Sequence, residues 1–364
     1  MTIYFDNAAT TKVRPEILNA INDAEAGLYF NSAALYSGSI NSRKAIEGAR
    51  NTILRRLADS GEGELVFTSG ATESNNLVIF GKIHNQKRHH LVVLAGEHSS
   101  SYAPSVALKN DGFNVDYIPL KRDGTCDLVA LKKIIRPTTT LVVFGMINSD
   151  VGALQPTKEI VDIIRQISPK AHIHCDAVQA FCKFDFDVVK LDLDSCSISA
   201  HKIYGQKGVG ALWLKKGINL KPIMYGGSQQ DYRPGTENNA GVIGFARAVE
   251  LYDTKKSFEH VSALRKRLVK DLTLTTDSQN PYITNIMLPV FGQTVMNALS
   301  TKGIYVGLGS ACTATASKNR TLIAMGIPEN KTKNVLRVSL GIYNTMEEID
   351  KFLHELNAVL DILQ

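Results

Sequence analysis

Short runs rich in Val, Ile, Leu and Phe alternate along most of this chain with stretches whose apolar residues recur at helical spacing. A parallel strand needs a crossover helix to bring the chain back to the same edge, so this alternation predicts an α/β fold, a mostly parallel sheet covered by helices. The pattern runs to about Thr254. After a break at residues 253–257 come a helix-like stretch, a strand near 283–288, a helix near 294–299, and a last strand and helix. We expect a large domain over residues 14–255 and a smaller α+β domain over 256–364, with residues 1–13 packed on the latter. A chain of 364 residues that is 44% apolar is long enough for two such cores.

Five of the strand-like runs end in polar residues. The run 65–68 leads into Ser69-Gly70-Ala71-Thr72, and 91–94 into Gly96-Glu97-His98. The run 141–144 continues to Asn148, 171–175 into Asp176-Ala177-Val178-Gln179, and 195–198 into Ser199-Ala200-His201-Lys202. Ligands of open α/β sheets sit beyond the carboxyl ends of the strands, so these residues should converge.

Their types specify a chemistry. Lys202 alone says little, since most lysines after a strand are solvated. Beside Asp176 it means more: a lysine amine can hold the aldehyde of pyridoxal phosphate (PLP), and a carboxylate can keep the pyridine nitrogen protonated. Gly70-Ala71-Thr72 opens a helix, where free N–H groups and the positive dipole end favour a phosphate. His98 can stack on a ring and move protons near neutral pH. Gln179 and Asn148 can hydrogen-bond a ring hydroxyl, and Asn148 can instead touch the substrate. Ser199 and His201 are candidate phosphate ligands.

Seven collinear motifs carry a resemblance. Tyr4-Phe5-Asp6-Asn7-Ala8-Ala9-Thr10-Thr11, the segment 68–76, Glu97-His98, Asp176-Ala177-Val178-Gln179, His201-Lys202, Arg233-Pro234-Gly235-Thr236-Glu237-Asn238 and Gly309-Ser310-Ala311-Cys312 stand in the order and approximate spacing of NifS/IscS-type cysteine desulfurases. These are class V aminotransferase-like, fold-type I PLP enzymes. The resemblance implies that Lys202 binds PLP covalently, His98 stacks on its ring, Asp176 pairs with the pyridine nitrogen and Gln179 meets the ring oxygen. It implies phosphate ligands at Thr72, Ser199 and His201, with Thr236 reaching in from a second subunit of a homodimer. It also places the substrate's carboxylate on Arg337, in Leu336-Arg337-Val338-Ser339-Leu340-Gly341, a role that a guanidinium fork suits.

Cys312 lies in a run of glycines and small residues from Gly307 to Ser317, a composition that favours a mobile, accessible loop. In the resembled family this cysteine takes sulfur from L-cysteine, leaving L-alanine and a persulfide for a protein acceptor such as an iron–sulfur scaffold or a thiolation enzyme. Such a loop should stand away from PLP at rest. Cys126, Cys175, Cys182 and Cys196 read as structural thiols, and no zinc-like spacing is present, so no metal is expected. No membrane-length apolar run or leader is visible, which points to a cytoplasmic protein. His172 and His174 alternate along a strand and read as one inward and one outward. The net charge of +6 is spread out. Lys87-Arg88-His89-His90 and Arg265-Lys266-Arg267 read as solvated faces rather than nucleic-acid patches.

Departures from the family pattern fall at the substrate mouth and acceptor face: Tyr36 replaces a histidine, Asn148-Ser149-Asp150 replaces Asn-Asn-Glu, and Gln230 replaces a glutamate. The reading is an L-cysteine desulfurase. Its alternatives are a selenocysteine lyase, another class V PLP aminotransferase, or a PLP-binding scaffold without turnover.

Overall fold

In the computed structural model, which describes residues 2–84, 88–227, 230–309 and 319–363, the chain opens with a short strand β1 (Ile3–Tyr4) and helices α1 (Pro15–Gly27) and α2 (Gly38–Leu57). Strands and helices then alternate: β2 (Glu64–Thr68), α3 (Ala71–Lys82), β3 (His90–Leu94), α4 (Ser99–Asn110), β4 (Asn114–Ile118), α5 (Leu128–Ile134), β5 (Thr139–Gly145), α6 (Thr157–Ile167) and β6 (His172–Asp176). Next come β7 (Ser195–Ser199), β8 (Gly210–Leu214), α7 (Asn239–Glu250) and α8 (Thr254–Leu268). The last part holds β9 (Ile283–Met287), α9 (Gly292–Thr301), β10 (Ile304–Tyr305), α10 (Arg320–Ala324), β11 (Val335–Ser339) and α11 (Met346–Leu363).

The large sheet has seven strands in the order β2-β8-β7-β6-β5-β3-β4. Strands β3 to β7 pair in parallel, while β8 runs antiparallel to both β2 and β7. Hence β2 points the same way as the parallel set, and β8 begins at the edge where the other six strands end. Side chains alternate between two faces. Val92, Leu94, Val142, Phe144, Ile173 and Cys175 enter one core, and Leu91, Val93, Leu141 and Val143 the other. Each fully buried aliphatic or Phe side chain contributes about 1.5–3 kcal/mol, which is why strands so apolar on both faces stay in the middle of the fold.

A third core gathers Phe5 with Val261 and Leu264 of α8, Ile283 and Ile286 of β9, Val295 of α9, and Phe352 and Leu356 of α11. Here β9 pairs antiparallel with β11, and β1 pairs parallel with β10. Phe184 packs against both this core and the sheet core.

Two expectations need correction. His172 and His174 are two residues apart on β6, so they share a face, and both are buried. Each lies 2.7 Å from the Ser195 hydroxyl, through Nε2 and Nδ1 respectively. His90 leaves the solvated cluster assigned to it: it is buried in β3, with Thr139 Oγ1 at 3.0 Å and Asp116 Oδ2 at 3.1 Å.

The substituted Gln230 has a definite place. Its Oε1 accepts from Phe67 N at 2.7 Å and its Nε2 donates to Phe67 O at 3.1 Å, so a side-chain amide lies along edge strand β2.

Gly152 fixes the loop after β5 against β9. It holds φ at +76°, and a Cβ there would stand 2.5 Å from the Ile283 carbonyl oxygen. We predict that Gly152→Ala destabilises the protein by roughly 2–3 kcal/mol through left-handed strain and overpacking. An unchanged urea midpoint would show that β9 yields to the extra methyl.

Candidate active site

The five strand ends meet at one cavity of about 490 Å³ on the carboxyl edge of the large sheet. Residues of 69–72, 96–98, 147–149, 176–179 and 199–202 line it, with Lys207 and Gly208 from the turn before β8. Its far wall is Ala8, Ala9, Thr10 and Arg337. The cavity thus lies where the sheet faces the segment after β1 and the end of β11.

One end of the cavity suits an anion. The first turn of α3, with Ala71 and Thr72, leaves N–H groups without helical partners. A Cβ on Gly70 would meet nothing within 4 Å, so this cradle is open. Ser199 and His201 line the same cavity. Burial, and then the charges of Lys202 and Lys207, bring His201 down to a pKa of about 3. Its ring is therefore neutral, with Nδ1 3.1 Å from Thr10 Oγ1.

Lys202 follows β7, and its Nζ donates to the carbonyl oxygens of Ala8 at 2.5 Å and Ala9 at 2.7 Å. Burial, then the nearby charges of Lys183 and Arg337, bring its pKa from 10.5 to about 7. It can therefore present a free amine at neutral pH, which an ordinary surface lysine cannot.

Asp176 closes β6. Its Oδ2 accepts from Asn75 Nδ2 at 2.8 Å and its Oδ1 from Val178 N at 3.0 Å. Asn75 ties it to two further groups: Nδ2 also donates to Ser100 Oγ at 2.8 Å, and Oδ1 lies 2.9 Å from His174 Nε2. His174, held near pKa 3 by burial, is a neutral member of this network.

His98 caps α4, with Nδ1 accepting from Ser100 N at 3.2 Å and lying 2.8 Å from Ser100 Oγ. That bond puts the proton of the neutral ring on Nε2. Protein surrounds the ring although solvent still reaches it, and this lowers its pKa against the opposing pull of Asp176.

Arg337 is 2% exposed. Its Nη2 donates to Asp6 Oδ1 at 2.7 Å and its Nη1 to Ser149 O at 2.9 Å, while its Nε is buried without a partner among the described residues. The guanidinium is thus held rigid with an unused donor. Asn148 lines the cavity, but its amide already bonds Gly96 O at 2.8 Å and the backbone N–H groups of Asp150 at 2.9 Å and Val151 at 3.0 Å. It shapes the loop first. Gln179 Nε2 donates to Ala8 O at 3.0 Å.

Of the expected site residues, Ala71, Thr72, His98, Asn148, Asp176, Gln179, Ser199, His201, Lys202 and Arg337 all line this cavity. Thr236 does not; it is exposed elsewhere on the chain. Cys312 lies outside the described residues, as does the rest of 310–318. Sequence reasoning passed over Asp6, Lys207 and Glu97. Glu97 is buried, accepts from Gly145 N at 2.6 Å, and is raised to about 8 by burial and by Asp176, so it is protonated at neutral pH. Its position next to His98 was visible, but its burial beside a second carboxylate was not.

A planar phosphorylated aldehyde with a basic ring nitrogen would engage the open cradle, the amine and the carboxylate together. That molecule is pyridoxal phosphate, and the fold and site define a fold-type I PLP enzyme. Comparison with known proteins narrows this. The chain belongs to the aminotransferase class-V family, whose match covers residues 3–352, and within it to the NifS/IscS-type cysteine desulfurases. It is 34% identical to cysteine desulfurase IscS 1 of Archaeoglobus fulgidus over 99% of this chain and 97% of that protein. A solved NifS-like protein superposes with a TM-score of 0.90 at 31% identity, covering 100% of this chain and 99% of that one. A structure described as SspA in complex with cysteine matches at TM-score 0.84 and 29% identity, over 94% of this chain and all 100% of that one.

We predict that, in cofactor-free protein, the rate at which Lys202 takes up PLP rises with pH to a plateau with a midpoint near 7. The reacting form is the free amine, so the rate falls as protons are added. A midpoint near the ordinary lysine value would show that Lys202 is not perturbed.

Proposed function

We propose that this protein is a PLP-dependent L-cysteine desulfurase that converts L-cysteine to L-alanine and leaves the sulfur as a persulfide on Cys312. The observation that carries this reading is the single cavity in which Lys202, Asp176, His98 and Arg337 stand together in a chain of desulfurase type. When bound, PLP supplies an electron sink that labilises bonds around the substrate's α-carbon.

The chain's own residues do the rest. Arg337, locked by Asp6 and Ser149, offers a fixed cation to the substrate carboxylate. Asp176 would pair with the cofactor's ring nitrogen, and the neighbouring Glu97, protonated by burial and by Asp176, adds no second negative charge. Lys202 would hold the cofactor, and as a free amine with a pKa near 7 it is a base of suitable strength. His98 delivers and recovers a proton at Nε2. The Cys312 thiolate attacks the substrate's sulfur: the new S–S bond forms as the substrate's C–S bond breaks, and alanine's β-carbon ends with a proton in place of sulfur.

The finer reading has three parts: a homodimer, a protein sulfur acceptor that serves iron–sulfur assembly or thiolation, and a cytoplasmic setting. The dimer is supported by exposed apolar side chains near the Thr236 segment: Tyr29 at 69%, Leu35 at 98%, Tyr36 at 55% and Tyr225 at 80% exposure. Ser32 Oγ donates to Glu237 Oε2 at 2.5 Å, which joins these two stretches. Thr236 would then serve the phosphate of the neighbouring subunit. The reducing compartment is supported by Cys126, Cys175, Cys182 and Cys196, all free and buried. Among the described residues no helix is long and apolar enough to cross a membrane.

Two outcomes are expected. Cys312→Ser should still load PLP and change its absorption on adding cysteine, yet form no persulfide and release no alanine at the wild-type rate; wild-type turnover would move the nucleophile elsewhere. Tyr225→Asp should sediment as a monomer and lose at least tenfold in PLP affinity, because the phosphate loses Thr236 of the second subunit. A monomer that binds PLP as tightly as wild type would remove Thr236 from the site.

A further inference from the structure

Lys183 lies four residues beyond Gln179 and is 4% exposed. Its Nζ donates to Gln179 Oε1 at 3.3 Å and stands 5.6 Å from the centre of the Tyr282 ring. Among the described residues no carboxylate pairs with it: burial brings its pKa to about 8, opposed only by the Cys182 thiol. A buried ammonium is ordinarily matched by an anion. Here, among the described residues, it is met by an amide oxygen and a ring face.

An ammonium has donors and no acceptor. It therefore settles which way round the Gln179 amide stands, with Oε1 toward Lys183 and Nε2 donating to Ala8 O at 3.0 Å. The same Ala8 carbonyl accepts from Lys202 Nζ at 2.5 Å. Lys183, Gln179, Ala8 and Lys202 form one line of hydrogen-bonded groups from the interior to the cavity wall.

We propose that Lys183 is a positioning residue for the cofactor, turning the donor end of Gln179 to the cavity and balancing the negative ring oxygen of bound PLP. The inference rests on the PLP reading above. Lys183 also bears directly on Lys202, whose pKa it lowers more than any influence except burial. The other groups that act on Lys202 are Arg337 on β11, Asp6 after β1 and Asp176 on β6. His201, Lys207 and His98 share the same cavity.

The test follows the absorption of bound PLP against pH in wild type, Lys183→Met and Lys183→Arg. Loss of the positive charge makes the proton at the lysine–cofactor linkage harder to remove. The Met variant should therefore titrate about one pH unit higher and bind PLP about tenfold more weakly. The Arg variant should keep the wild-type midpoint. A folded Met variant with a lower melting temperature, but unchanged midpoint and PLP affinity, would overturn the proposal by making Lys183 a packing residue only. Should the Met variant not fold, Lys183→Gln carries the same comparison. Wild-type protein that takes up no PLP would overturn the cofactor reading, and this inference with it.

Discussion

The segment from Phe5 to Thr11 is the strap on which the site depends. It anchors in the third core through Phe5 and is bonded on both sides of the cavity. Ser339 N donates to Phe5 O at 2.7 Å, and Asn7 Nδ2 donates to Ser339 O at 2.9 Å. On the other side Thr11 N donates to His201 O at 2.9 Å, and Tyr204 N to Thr11 Oγ1 at 2.8 Å. Between these ties the carbonyls of Ala8 and Ala9 hold the amine of Lys202. A lysine after a strand would otherwise reach for water. The strap keeps it over the cavity while Asp6 does the same for Arg337.

The electrostatics follow from how few acids face many bases. Lys202, Lys207 and Arg337 line one small volume with Lys183 acting from the interior, and the acids that oppose them are Asp176, Asp6 and, at His98, Asp150. Each cation lowers the proton affinity of the next, and burial removes the water that would screen them. The result is a lysine brought to about 7 and a neutral His201, while His174, deeper in β6, is kept neutral by burial alone. Such a cavity favours an anionic ligand before any particular contact is counted.

Much of this was legible in the sequence because strand ends declare themselves. Apolar runs with two buried faces stop abruptly at Thr68, Leu94, Gly145, Asp176 and Ser199, and topology does the converging. What was not legible depends on partners far away in the chain. Nothing near Arg337 announces Asp6, and nothing near Asn148 shows that its amide is already spent on its own loop. Thr236 reads as a phosphate ligand from its motif, yet within one chain it is exposed elsewhere. The histidines of β6 differ from the expectation for a simpler reason: spacing of two on a strand means the same face, and Ser195 on the neighbouring strand then meets one nitrogen of each ring.

Gln230 has a bearing on how this molecule lives among its own copies. An edge strand offers unpaired peptide groups, and any extended chain can dock on them. At Phe67 that berth is occupied by an amide from the same protein, closing both the donor and the acceptor. The closure sits one residue before Thr68, where the sheet hands over to the anion cradle. With the berth filled from within, this end of β2 offers a passing strand neither a free donor nor a free acceptor at Phe67.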